Sequence, residues 1–138
     1  MSHESAELLL RGYHAFVEGD LEAIATMLDP DVEWVAAGES DAILVSRDRV
    51  LDLLAERVAE DYHVVVERAI GLTDRVVVSM RFSRIEIDLT DERPLQSRRS
   101  YLLGRWAAVV YTRDGHVVRV EEHPHLEAAL EAAGLEGE

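Results

Sequence analysis

The feature that most constrains this chain is a change of hydrophobic period partway along it. Before Glu60 the apolar residues recur at helical spacing, and after it they alternate as strands do. In the first part, Ser5 is read as the N-cap of a helix over about 5–19, with Leu9, Gly12, Tyr13 and Phe16 on one face and Gly19 at its end. Asp20 is expected to cap a second helix over about 20–28, inner face Leu21, Ile24, Ala25 and Leu28, stopped before Pro30. A short strand over about 32–36 sets Trp34 and Ala36 on one face and Glu33 and Val35 on the other. Gly38 to Val45 reads as a loop, after which Ser46 caps a third helix over about 46–60 bearing Val50, Leu51, Leu54 and Val58.

The second part holds strands over about 62–70, 75–87, 98–111 and 116–123. Gly71–Asp74 and Arg113-Asp114-Gly115 are tight turns, Asp88–Leu95 is a hairpin tip, and Gly104 marks a bulge. A closing helix over about 124–133 begins at Pro124 and ends at Gly134. Helices gathered at one end of a meandering sheet predict an α+β fold. The whole of residues 1–138 is expected to form one domain, a size that can bury a core. Long strands that bend at a central glycine leave room for a cavity between sheet and helices.

Composition limits what such a domain does. With 28 acids against 14 bases, the net charge of −14 repels phosphate backbones, so no nucleic acid or anionic membrane partner is expected. Every base is arginine; without lysine there is no Schiff-base chemistry and no P-loop lysine. Cysteine is also absent, which removes disulfides, thiolate metal ligands and a cysteine nucleophile. No apolar run approaches the roughly 20 residues of a membrane span. The opening Met-Ser-His-Glu lacks the layout of a secretory signal, so a cytoplasmic location is the default expectation.

Two segments carry a family resemblance. Tyr13-His-Ala-Phe-Val-Glu-Gly-Asp-Leu-Glu-Ala-Ile, followed by Met27-Leu-Asp-Pro-Asp-Val-Glu-Trp, resembles the opening of SnoaL-like proteins. Arg113-Asp-Gly-His-Val-Val-Arg-Val-Glu-Glu-His and the Leu-Glu-Ala-Ala-Leu-Glu-Ala-Ala-Gly-Leu tail resemble their closing strand and helix. The resemblance spans nearly the whole chain. It implies the cone of the SnoaL-like and nuclear transport factor 2-like superfamily, a curved antiparallel (mixed) sheet wrapped around N-terminal helices. That superfamily includes polyketide cyclases, ketosteroid isomerases, epoxide hydrolases, dehydratases and non-catalytic modules, so the fold alone selects no chemistry.

Set against the isomerases through Gly19-Asp20, the catalytic tyrosine falls at Gly12, the base at Ala36 and the protonated acid at Ala107, which argues against that reaction. Against the epoxide hydrolases, Arg81 matches the arginine and Glu122 the second acid, but Ser83 stands where a carboxylate is required. For a cyclase-like step, Glu122 is the candidate proton carrier, entering an apolar wall beside Val118 and Val120.

The resemblance implies no cofactor and a small apolar, carbonyl-bearing molecule as ligand. Arg81 and Glu122 are read either as a catalytic pair inside the cone or as an ordinary cross-strand ion pair or solvated side chains. Arg105, placed on a face with Leu103 and Ala107, is a third polar group for the pocket or simply a partner for Glu122. Tyr13, Phe16 and Trp34 are read as ligand-stacking rings or core packing, with Ala36, Ala107 and Val120 beside them. Of the six histidines, His123 and His125 flank Pro124 without metal-ligand spacing, and His14 faces either pocket or solvent. Trp106, on the face opposite Arg105, is expected on the outer sheet as the anchor of a homodimer, a mode common in the superfamily. Two functions stay open: a cofactor-independent cyclase, isomerase or dehydratase, and a non-catalytic carrier or association module.

Overall fold

The computed structural model describes residues 4–35, 43–59, 63–87, 89–93 and 99–135, the side chains of 4, 84–86 and 99–103 excepted. Helix α1 (Glu4–Glu18) leads through Gly19, at φ 72°, into α2 (Leu21–Met27). A positive φ favours glycine, which is why the first helix stops there. Asp20 accepts from Ala23 N–H at 3.1 Å and caps α2 as its position predicts. Ser5 is no cap: it lies inside α1, fully buried, with its Oγ 2.6 Å from Thr112 Oγ1. Glu4, before it, is already helical.

Strand β1 (Leu28–Val35) follows at once, so Leu28 ends α2 in extended geometry and does not extend it. Pro30 is accommodated because the pairing of β1 is irregular between Leu28 and Glu33. The stretch read as a loop contains a short strand, β2 (Ile43–Val45), paired antiparallel to β1 through Glu33 and Val45. Three residues are too few to show alternation. Ser46 then opens α3 (Arg47–Ala59), its carbonyl accepting from Val50 N–H at 3.2 Å.

The remaining strands are β3 (His63–Gly71), β4 (Arg75–Glu86), β5 (Arg99–Arg113) and β6 (His116–His123), closed by α4 (Leu126–Ala132). Asp114 and Gly115 both have positive φ, 53° and 77°, as a two-residue hairpin turn with right-handed strand twist requires. The bulge expected at Gly104 exists: pairing shifts between Phe82 opposite Gly104 and Ser83 opposite Leu102. A side chain at Gly104 would put its Cβ 3.2 Å from the tip of the Phe82 ring, which would have to give by a few tenths of an ångström to admit it.

The six strands form one mixed, unclosed sheet in the order β2-β1-β6-β5-β4-β3, with β1 parallel to β6 and every other pair antiparallel. Helices α1 and α3 pack on its inner face, α1 against β3, β4 and β5 and α3 against β1, while α4 packs against β4 and β5 from outside. The main core, including Leu8, Val32, Val50, Val76, Val78, Ala108 and Val110, fills the inner side. A second cluster of Val77, Ala107, Val109, Ala129, Leu130 and Ala133 lies beneath α4. Strands β4 and β5 are therefore buried on both faces there, which is why they read as near-continuous apolar runs. Among the described residues no helix is long and apolar enough to cross a membrane.

Candidate functional site

Where α1 and α3 do not close fully on the sheet, a cavity of about 410 Å³ remains. That is within the usual size of small-molecule sites. Helix α1 contributes Leu9, Gly12, Tyr13 and Phe16; α2 contributes Ile24 and Met27; α3 contributes Leu54 and Arg57. The sheet contributes Trp34 from β1, Met80 and Phe82 from β4, Trp106 and Val110 from β5, and Val117 and Val120 from β6. Tyr13 also ties α1 to the sheet, its hydroxyl donating to Val64 O at 2.5 Å.

Arg57, a charged residue of this lining, reaches a buried acid that lies just behind the wall. The Glu122 side chain is only 6% exposed, and its Oε2 accepts from Arg57 Nη2 at 3.1 Å and from Trp106 Nε1. Among the described residues no donor reaches Oε1. Arg57 also lies over the Trp34 ring, its guanidinium carbon 5.5 Å from the ring centre, and Trp34 stacks on Trp106 at 6.4 Å. A carboxylate, a guanidinium and two indoles thus make one cluster, with charge-assisted bonds converging on a single oxygen. The indole N–H of Trp34 is buried with no partner among the described residues.

Several expected positions change. Arg81 stands opposite Arg105 in the sheet, both are exposed, and Arg105 Nε pairs with Glu67 at 3.3 Å. Neither joins Glu122. Ala107 is buried beneath α4, not in the cavity, and Trp106 lines the cavity, not the outer sheet. The three corrections on β5, at Arg105, Trp106 and Ala107, share one cause, a one-residue error in the phase of that strand, whereas Arg81 on β4 was placed by the resemblance to the epoxide hydrolases. The run Ala107-Ala108-Val109-Val110 has no polarity contrast because both its faces are covered, so alternation could not fix which face turns inward. With Trp106 inside, the expected dimer loses its anchor.

The other candidates divide. Tyr13, Phe16, Trp34 and Val120 line the cavity, and Trp34 pairs with Val120 across β1 and β6. Val117 lines it where Val118 was expected, because the pairing of β5 with β6 shifts between Tyr111 and Thr112. Ala36 lies outside the described residues, and His14 is exposed. Arg57 was missed, although it follows Leu54 by three positions and Val50 by seven on the apolar stripe of α3. A cation on such a stripe is the signal that could have found it.

Beside the apolar patch under α4, the outer face carries a polar row across β1, β6 and the end of β5. Arg119 bridges Glu33 at 2.7 Å and Glu121 at 2.8 Å, and Tyr111 donates to Glu121 at 3.3 Å. Burial first, and then the Glu121 carboxylate, push the Tyr111 phenol above its ordinary value. Hydrogen bonding to Glu121 raises the Arg119 guanidinium in turn. Among the described residues no three potential ligands are grouped to hold a metal ion.

Solved structures share this fold. A nuclear transport factor 2-like protein from Mesorhizobium loti superposes with a TM-score of 0.69 at 15% identity, over 90% of this chain and 93% of that one. A candidate polyketide cyclase from Xanthomonas campestris gives 0.64 at 20% identity, over 91% and 93%. A protein with a ketosteroid isomerase-like fold from Catenulispora acidiphila, solved with trimethylamine, gives 0.61 at 18% identity, over 94% and 93%. At these identities the likeness concerns the fold alone. No curated protein matches the sequence. The profile of the SnoaL-like domain does match, over residues 9–120, and the chain therefore belongs to the SnoaL-like family.

Proposed function

We propose that the cavity binds a small, largely apolar, carbonyl-bearing molecule and that Glu122 moves a proton on it without a cofactor, in a cyclisation, isomerisation or dehydration. The observation that carries this reading is the placement of Glu122: a buried carboxylate beside an apolar cavity, whose two donors both reach Oε2, none among the described residues reaching Oε1. Arg57 takes the part that Arg81 was expected to play. Oε1 accepts the proton from the carbon next to the carbonyl, and the electron pair moves onto the carbonyl oxygen. The positive charge of Arg57 steadies that oxyanion, and the proton returns to a different atom. The printed description of the Xanthomonas neighbour as a candidate polyketide cyclase agrees with this class of chemistry.

The test needs no knowledge of the natural substrate. Cyclic ketones incubated with the protein in D₂O are expected to exchange the hydrogens next to the carbonyl faster than in buffer, read by proton NMR. Glu122→Gln should abolish that exchange and spare binding; exchange equal to wild type in this variant would reject Glu122 as the proton carrier. A second reading is a non-catalytic carrier, favoured by the Arg57–Glu122 pair, in which acid and cation already satisfy each other. It predicts a ligand retained in native mass spectrometry and no exchange at all.

A further inference from the structure

A seat for an organic cation needs an aromatic face and a carboxylate within reach of the same charge. Trp34 lines the cavity, Glu122 lies directly behind Arg57 and Trp106 of its wall, and the Arg57 side chain already satisfies ring and acid together. The Arg57 guanidinium lies 5.5 Å from the Trp34 ring centre and 3.1 Å from Glu122 Oε2. Its side chain is 34% exposed against 6% for Glu122, so it stands on the solvent side of the acid. A ligand cation must displace a charge tethered to α3, which competes at the high effective concentration of an intramolecular group. A ligand anion fares no better, because it meets Arg57 already neutralised by Glu122 and is repelled by that carboxylate.

We infer that Arg57 sets the charge selectivity of the cavity. It fills the place of a ligand cation, so the wild-type cavity takes uncharged molecules and its removal opens the site to alkylammonium ions. The inference rests on the reading of the cavity as a small-molecule site and adds which molecules it admits and which residue decides.

The test keeps one apolar cage and varies the charge. Adamantyl methyl ketone, adamantyltrimethylammonium and adamantane carboxylate are titrated calorimetrically into the wild-type protein, Arg57→Met, Arg57→Lys and the double variant Arg57→Met/Glu122→Gln. The wild type is expected to bind the ketone about tenfold or more tighter than either ion. Arg57→Met should gain about tenfold for the ammonium ion. Arg57→Lys should keep the wild-type order, and the double variant should lose the gain. The inference is overturned by equal ketone and ammonium binding in the wild type, by no gain in Arg57→Met, or by a gain that survives without Glu122. Should Arg57→Met be too unstable to titrate, the ammonium ion must raise its Tm and leave the wild-type Tm unmoved; failure of that shift also overturns it. If no probe binds any of the proteins, the small-molecule reading itself falls and takes this inference with it. Binding that ignores charge overturns the inference alone.

Discussion

Glu121 and Glu122 are neighbours in the chain and belong to different environments. Strand alternation turns Glu121 to the outer face, where it joins a half-exposed row with Arg119, Tyr111 and Glu33. Glu122 turns inward and is almost completely buried, with Arg57 and Trp106 as its donors. The residue type and the kind of partner are the same. The difference is water. Outside, solvent can replace any lost partner, so the ion pairs add little to stability; inside, a removed partner leaves a carboxylate with nothing to replace it.

The sharpest way to break this comparison is to remove one arginine from each side. Arg57→Met should destabilise the fold by about 2–4 kcal/mol in urea denaturation, below the top of the range for buried pairs because Arg57 is partly exposed. Arg119→Met should cost under about 1 kcal/mol, although Arg119 makes more ion pairs. Equal losses would show that burial is not what separates the two glutamates. A smaller effect is expected from Trp106→Phe, which keeps an aromatic ring but trims the indole and removes one donor to Glu122, at about 1–2 kcal/mol by the same measurement.

The smallest effect concerns the outer row and pH. Tyr111 keeps its proton to higher pH in the folded chain than in the unfolded one, where its value is the ordinary 10.0. Its contribution is therefore fully present below that value and is lost as pH rises through the folded one. Stability should fall in that alkaline window, and Tyr111→Phe should flatten the fall, as a pH series of thermal melts would reveal.

The two faces also explain what was legible in the sequence. The helices and turns were readable because their signals are local: Asp20 as a cap, Gly19 as a stop, Asp114-Gly115 as a hairpin turn. The inward direction of Glu122 was readable because β6 carries a polarity contrast, with Arg119 and Glu121 on one side of Val120. β5 has no such contrast under α4, so Arg105, Ala107 and Trp106 were all assigned to the wrong face. Arg57 was hidden for a different reason. Its partner is 65 positions away, and no local pattern announces a pair formed by packing.

Both tryptophans of the chain, Trp34 and Trp106, lie in the cavity wall and stack on each other at 6.4 Å. The near-ultraviolet absorption and emission of this protein are thus dominated by one spot. At that separation the indole transitions couple, and the couplet they give in circular dichroism reports the geometry of the pair. A molecule wedged beside the stack, or a movement of Arg57 away from it, would change that signal directly. The protein carries its own optical gauge of the cavity, with no label added.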